Sequence, residues 1–372
     1  MRWMIAAALL ASISCWGQSE YRIPLEKLNS TLAVPTVTGR EGVIYVAHRS
    51  FDWLRFSSRL EVLVYDTGSR KELRHVTIPV PKVHGARAAD GLFLSKDGQV
   101  LAYAELHDPH LLLLLSTKDL SEIRRSTTLP FTSEDRKRVF AGFDNDNLLI
   151  FASINANGLR LIRVNTATMK GSSDTKFSIP DHDVFEQMAW SKDATKIWVT
   201  STSTRGDEWQ EYNEDGVSTG QNFRYQLGIS NGAIVLGEGK VLAFYGNMVA
   251  KGAVISYSDH RTAELKLECL PRPYGTSNDP EYAGAICTTS PDREPESVGG
   301  KILSSKFLLL NTEGPSIVWR QNMDSVGVAN GNGPNEGFQR GDPLIFRSGK
   351  KVWIVAPSKS PELKVYEVVL PQ

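Results

Sequence analysis

Seven times between residues 37 and 355 an apolar residue gives way to a short polar turn, followed by a run in which apolar residues return at close spacing. The copies run Val37-Thr-Gly-Arg-Glu-Gly-Val-Ile-Tyr-Val46, Leu94-Ser-Lys-Asp-Gly-Gln-Val-Leu-Ala-Tyr103 and Phe143-Asp-Asn-Asp-Asn-Leu-Leu-Ile-Phe151. They go on as Trp190-Ser-Lys-Asp-Ala-Thr-Lys-Ile-Trp-Val199, Leu236-Gly-Glu-Gly-Lys-Val-Leu-Ala-Phe244, Val298-Gly-Gly-Lys-Ile-Leu303 and Phe346-Arg-Ser-Gly-Lys-Lys-Val-Trp-Ile-Val355. Asp-Gly and Gly-Lys pairs between strand-like runs mark hairpins, because such turns need residues that accept positive φ. Short strands repeating every ~45 to 60 residues predict a radial array, an all-β seven-bladed β-propeller.

A second hairpin follows in most units. Leu63-Val-Tyr-Asp-Thr-Gly68, Leu113-Leu-Leu-Ser-Thr-Lys118, Leu161-Ile-Arg-Val-Asn-Thr166, Val254-Ile-Ser-Tyr-Ser-Asp259 and Leu308-Leu-Leu-Asn-Thr-Glu313 each end at a Ser, Asn or Asp turn. Those side chains can bond their own backbone and help reverse the chain. A further strand after each turn, such as residues 72–79 or 122–130, brings the count to four antiparallel strands per blade. These turns resemble the YVTN-type propeller repeat and the related TolB-like repeat with its Ser-x-Asp-Gly turn, across nearly the whole chain after residue 17. The literal Tyr-Val-Thr-Asn is absent, as are the Trp-Asp dipeptide of WD40 repeats and the regular Gly-Gly pairs of kelch repeats.

The last unit supplies only three strands, around residues 343–346, 351–355 and 364–370. An early strand, Tyr21–Leu25, is left over and is expected to pair beside the last one and close the ring. Six blades with a decorated terminus is the alternative.

Residues 1–17 read as a signal peptide: Arg2, the apolar stretch from Ile5 to Ile13, and Cys15-Trp16-Gly17 before Gln18. That stretch is too short to span a bilayer as a helix. Cys15 could be lipidated, but Ser12 stands where a lipobox carries a large aliphatic residue. The expected product is an exported, periplasmic or extracellular monomer, with residues 18–372 forming a single propeller domain and no transmembrane segment. Export leaves Cys269 and Cys287, an even pair that an oxidising compartment favours as a disulfide; two buried thiols is the alternative.

The 42 Lys+Arg balance 42 Asp+Glu. With no net field and no basic run interleaved with aromatics, nucleic acid is not an expected partner. The partner is left as a small molecule, glycan or protein, and no pattern names a cofactor.

In a propeller the first-to-second and third-to-fourth strand turns share one face. The second-to-third and interblade connections share the other, here called the upper face. In this sequence the upper set reads as long and variable: residues 48–59, 81–87, 106–110, 130–138, 201–211, 270–283 and 325–340. Variable loops on a rigid scaffold are the usual place for binding. His48, His84, His107, His110 and His182 fall there, with Asp90, Asp108 and Asp183. If imidazoles from blades 1 and 2 converged, they could bind a metal or act as acid and base; otherwise they are loop polar groups. Phe51-Asp-Trp-Leu-Arg-Phe56 places three aromatics and a leucine in one loop, which must pack down or bind something. Arg205-Gly-Asp207 is read as a turn rather than an adhesion tripeptide. Gly331-Asn-Gly-Pro-Asn-Glu-Gly337 lacks the Lys-Ser/Thr of a phosphate loop.

Two functions follow. The first is a binding module for a peptide, glycan or partner protein, with His48, Trp53, His107 and His110 as binding candidates. The second is an enzyme of lactonase, lyase or hydrolase type, with polar residues ringing the channel mouth. Its catalytic candidates are His84, Arg87, Asp90, His182, Glu186 and Arg340, joined by Arg138, Arg224 and Asp342.

Overall fold

The computed structural model describes residues 18–25, 30–32, 35–52, 54–82, 91–133, 135–144, 146–154, 158–178, 184–191, 195–203, 206–225, 230–236, 240–246, 251–274, 276–277, 281–288, 305–323, 344–357 and 362–370. Seven antiparallel sheets form the blades of a β-propeller. Blade 1 runs Thr36–Arg40, Val43–Asp52, Ser57–Asp66 and Lys71–Pro79 from the innermost strand outward. Blade 2 is Gly91–Leu94, Val100–Glu105, Leu111–Ser116 and Glu122–Ser126, and blade 3 is Asp135–Asp144, Asn147–Ile154, Gly158–Asn165 and Gly171–Ser178. Blades 4 and 5 repeat the order from Val184–Trp190 to Ser218–Tyr225 and from Ser230–Val235 to Thr262–Lys266. Blade 6 is Leu270–Tyr274, Tyr282–Thr288, Ser305–Asn311 and Ser316–Met323. Among the described residues no helix is long and apolar enough to cross a membrane.

The repeated turn dipeptides do two jobs. Asp66, Asn165 and Asn311 accept backbone N–H groups of their own third-to-fourth strand turn, at 2.5 to 3.0 Å. The threonine that follows ties this turn to the first-to-second strand turn of its own blade. Thr67, Thr117, Thr166 and Thr312 donate their backbone N–H to Gly42, Gln99, Asp146 and Glu281 carbonyls at 2.7 to 3.0 Å. The dipeptide therefore satisfies backbone groups that would otherwise be stranded in the turns.

Side chains alternate across each strand, so every blade offers one apolar face to the blade before it and one to the blade after. The core is accordingly divided into seven interblade layers. Tyr45, Val62, Leu101 and Leu113 fill the layer between blades 1 and 2. Ala104, Leu114, Ile150 and Ile162 fill the next. Ile23, Ile44, Leu63, Val355 and Val365 fill the layer that joins blade 7 back to blade 1.

Blade 7 consists of Leu344–Ser348, Lys351–Pro357 and Glu362–Val369, with Gln18–Pro24 as its outer strand. The pairing is antiparallel, from Gln18 opposite Val368 to Pro24 opposite Glu362. Ile23 and Leu25 are buried, and the Tyr21 ring stacks on Tyr65 of blade 1 at 6.2 Å. The ring is thus shut by the pairing of its two chain ends.

Several segments read from the sequence as loops are strand. Residues 270–283 hold the innermost strand of blade 6, followed by Thr276–Ser277, which pairs in parallel with Leu344 and Ile345 of blade 7. Prolines 271 and 273 suit a strand whose other edge needs no ladder partner. The Val298–Leu303 copy, read as the first hairpin of unit six, therefore falls between that blade's second and third strands, outside the described residues. Residues 201–211 are mostly strand, Lys196–Ser203 and Gly206–Asn213. In blade 1 the strands run on to Asp52 and resume at Ser57, leaving only four residues at the tip.

Candidate functional site

His84, Arg87, Asp90, His182, Arg340, Asp342 and Trp53 lie outside the described residues. Arg138 and Glu186 sit in the innermost strands of blades 3 and 4; Glu186 falls at the register shift between Phe185 and Gln187. Arg224 does not stand at the channel mouth. It belongs to Ser218–Tyr225, the outermost strand of blade 4, where its Nε donates to Glu208 Oε2 at 2.6 Å.

The histidines of blades 1 and 2 separate. His48 is not a loop residue: it lies within Val43–Asp52 and is 1% exposed. By strand alternation it shares a face with Ile44 and Val46, which pack toward blade 7. His48 Nε2 approaches Glu61 Oε2 at 2.9 Å, and His75 Nε2 reaches the same oxygen at 3.6 Å. Burial pushes the Glu61 carboxyl up, but the His48 imidazole, His75 and Arg59 outweigh it and hold the carboxyl below its usual range. Further round the ring, His110 follows the parity of Leu112 and Leu114, which face blade 3. It approaches Asp108 Oδ1 at 3.0 Å and meets the Phe131 ring edge-on at 5.2 Å. His107 is exposed. Among the described residues, no group of three His, Cys, Asp or Glu side chains is disposed to hold a metal ion.

The structure reveals a set of buried charges that sequence reasoning missed. Arg49, one residue after His48, points the other way, into the layer between blades 1 and 2. There its guanidinium donates to Glu105 Oε2 and to the Pro81 carbonyl. The Tyr103 hydroxyl donates to the second oxygen of Glu105 at 2.5 Å. One layer further, Arg160 Nη1 donates to Asp135 Oδ2 at 2.7 Å, and the Thr132 N–H donates to the same oxygen at 2.7 Å. Arg49, Glu105 and Arg160 occupy strand positions with the parity of buried apolar neighbours, a signal that could have found them. The buried charges sit toward the upper ends of the interblade layers: Arg49 and Glu105 join blade 1 to blade 2, whereas Arg160 and Asp135 both belong to blade 3, and His48 and Glu61 both to blade 1.

The large apolar side chains that the upper face offers outward, among the described residues, stand at the tip of the blade 1 hairpin. Asp52 Oδ1 accepts the N–H groups of Leu54 at 2.9 Å and Arg55 at 3.1 Å, which closes a tight turn. Phe56 leaves that turn at φ 48°. Phe51 is buried beneath it, meeting Phe56 edge-on at 6.5 Å. Leu54 and Phe56 remain 79% and 55% exposed, so the aromatic segment only partly packs down.

Cys269 precedes the innermost strand of blade 6 and Cys287 lies in the strand beside it. Their Cα atoms are 5.3 Å apart and the sulfurs are bonded. The bridge ties the residue that leads into the innermost strand of blade 6 to the second strand of the same blade.

Neither a family model nor a curated protein matches this chain. Solved structures do. Virginiamycin B lyase from Staphylococcus aureus, in a structure with quinupristin, aligns over 95% of this chain and 100% of its own, at 11% identity and a TM-score of 0.53. The WD40 domain of Toxoplasma gondii coronin aligns over 95% and 87%, at 10% identity and 0.53. The β-propeller domain of Myceliophteria thermophila Swd1 covers 93% and 99%, at 10% identity and 0.51. The chain is a β-propeller. These likenesses concern the fold alone and join WD40 modules to a lyase.

Proposed function

We propose that this protein is an exported binding module, with residues 1–17 as its leader, and that it holds a peptide, glycan or partner protein on its upper face. One observation carries the reading: the blade 1 hairpin holds Leu54 and Phe56 out in water on a turn fixed by Asp52. Two neighbouring large apolar side chains on a rigid support are what an interface anchor requires. The buried charged pairs of that face, Arg49 with Glu105 and Arg160 with Asp135, are occupied with each other, whereas the tip stands open to a ligand. The leader-like terminus and the bonded pair Cys269–Cys287 support export.

A photo-cross-linking residue placed at position 54 in the native host tests this, with the same residue at position 217 on the lower face as control. A discrete adduct from position 54 alone is expected. Adducts from position 217 alone, or from neither, remove the reading.

A second reading, an enzyme of lactonase, lyase or hydrolase type, is favoured by the buried carboxylate Glu105, whose partner Arg49 also holds the Pro81 carbonyl, at the start of the connection to blade 2. Glu105→Gln that abolishes turnover of a lactone or glycoside panel, assayed well below the temperature at which this variant unfolds, would support it.

A further inference from the structure

We propose that the ligand of the blade 1 tip is an acidic peptide segment carrying an apolar anchor, an inference that rests on the binding-module reading above. The argument is one of charge placed around an apolar point. Asp52, the acid of the tip, is turned inward and occupied by the N–H groups of Leu54 and Arg55. Arg55 stands outward, its side chain 71% exposed, with Nε 3.8 Å from Asp52. Lys82, from the connection to blade 2, places its ammonium 4.9 Å from the centre of the Phe56 ring. The cations therefore face solvent beside Leu54 and Phe56, while the anion faces the protein. A ligand that covers the apolar pair without stranding these cations must bring carboxylates to them.

Main-chain pairing does not offer itself as the mode of recognition. The inner edge of the hairpin is covered at Ser50–Asp52 by Ser30–Leu32. On the outer side Arg59 pairs with Pro79, and the Val80 N–H bonds the Ser58 carbonyl. Recognition falls to side chains. An anionic lipid surface fits less well, because stable membrane attachment takes two signals and the tip supplies, among the described residues, two exposed apolar side chains on a chain of balanced charge.

A random peptide library displayed on phage, panned against the full chain with the variant Leu54→Asp/Phe56→Asp as counter-selection, tests the proposal. Enriched peptides should carry Asp or Glu beside Leu, Phe or Trp. A synthetic peptide of that pattern should bind about tenfold more weakly to Arg55→Glu/Lys82→Glu and should weaken as salt rises. All four side chains lie on the surface, and unchanged thermal unfolding checks that the variants fold. Tip-dependent peptides lacking acids, or indifferent to charge reversal, overturn the acidic ligand and leave the binding module standing. Peptides that bind the Leu54→Asp/Phe56→Asp variant equally well overturn both. No enrichment, or tip-dependent flotation with phosphatidylglycerol vesicles in place of peptide binding, overturns the proposal as well.

Discussion

Arg49 and Glu105 belong to different blades and meet in an ion pair that almost no water reaches. Removing one partner strands the other charge in a buried site. Glu105→Ala is therefore expected to cost about 3–5 kcal/mol in denaturant unfolding. Replacing both partners at once, Arg49→Met with Glu105→Leu, should cost less than the single change, because no charge is left uncompensated. Equal losses would mean that packing alone sets the cost.

The strand that closes the ring should be indispensable. Ile23 is 1% exposed between blades 7 and 1, so Ile23→Ala should cost about 3 kcal/mol by the cavity it leaves. Deleting residues 18–25 should do far more, since it also uncovers the edge of Glu362–Val369. Thermal unfolding indistinguishable from the full chain would show that the closure contributes nothing to stability.

Glu61 makes stability depend on acid. Its folded carboxyl titrates below the ordinary value of 4.5, so the unfolded chain takes up the proton first. The stabilisation is complete above about pH 5 and disappears as pH falls through the folded value. Melting temperatures followed from pH 7 to pH 3 should therefore drop more steeply for the natural chain than for Glu61→Gln. Parallel curves would exclude this carboxylate as the cause.

Reducing the bridge between Cys269 and Cys287 frees a loop of 18 residues in the unfolded state. By the loop-entropy estimate the loss is about 3 kcal/mol. Cys269→Ala/Cys287→Ala should unfold earlier than the oxidised protein and no longer respond to reductant.

Six of the seven hairpin copies in the sequence fall where the first two strands of a blade meet, because a turn of two to five residues leaves a local mark in Asp, Gly and Lys. Blade 6 escaped because its corresponding connection is long and makes a pairing of its own through Thr276 and Ser277, leaving no tight turn to recognise. The site was less legible. His48 lies in a stretch rich in polar residues, Arg49, Ser50 and Asp52, which resembles a loop. In the structure the hairpin simply continues: His48 faces Glu61 on the neighbouring strand and Arg49 meets Glu105 of blade 2, partners that no local pattern encodes. Strand alternation sends His48 and Arg49 in opposite directions, so nearness in sequence said nothing of convergence.

The pairing of Gln18–Pro24 with Glu362–Val369 also orders events in time. On the ribosome, each of the inner blades can assemble from strands made within seconds of one another. The closing blade must wait, because its outer strand precedes the strands of every other blade and its partner emerges hundreds of residues later. Until then the apolar faces of blades 7 and 1 have nothing to rest on. Wherever the chain folds, the ring stays open until that last strand is available, and a chain cut short anywhere before residue 362 has no way to shut it.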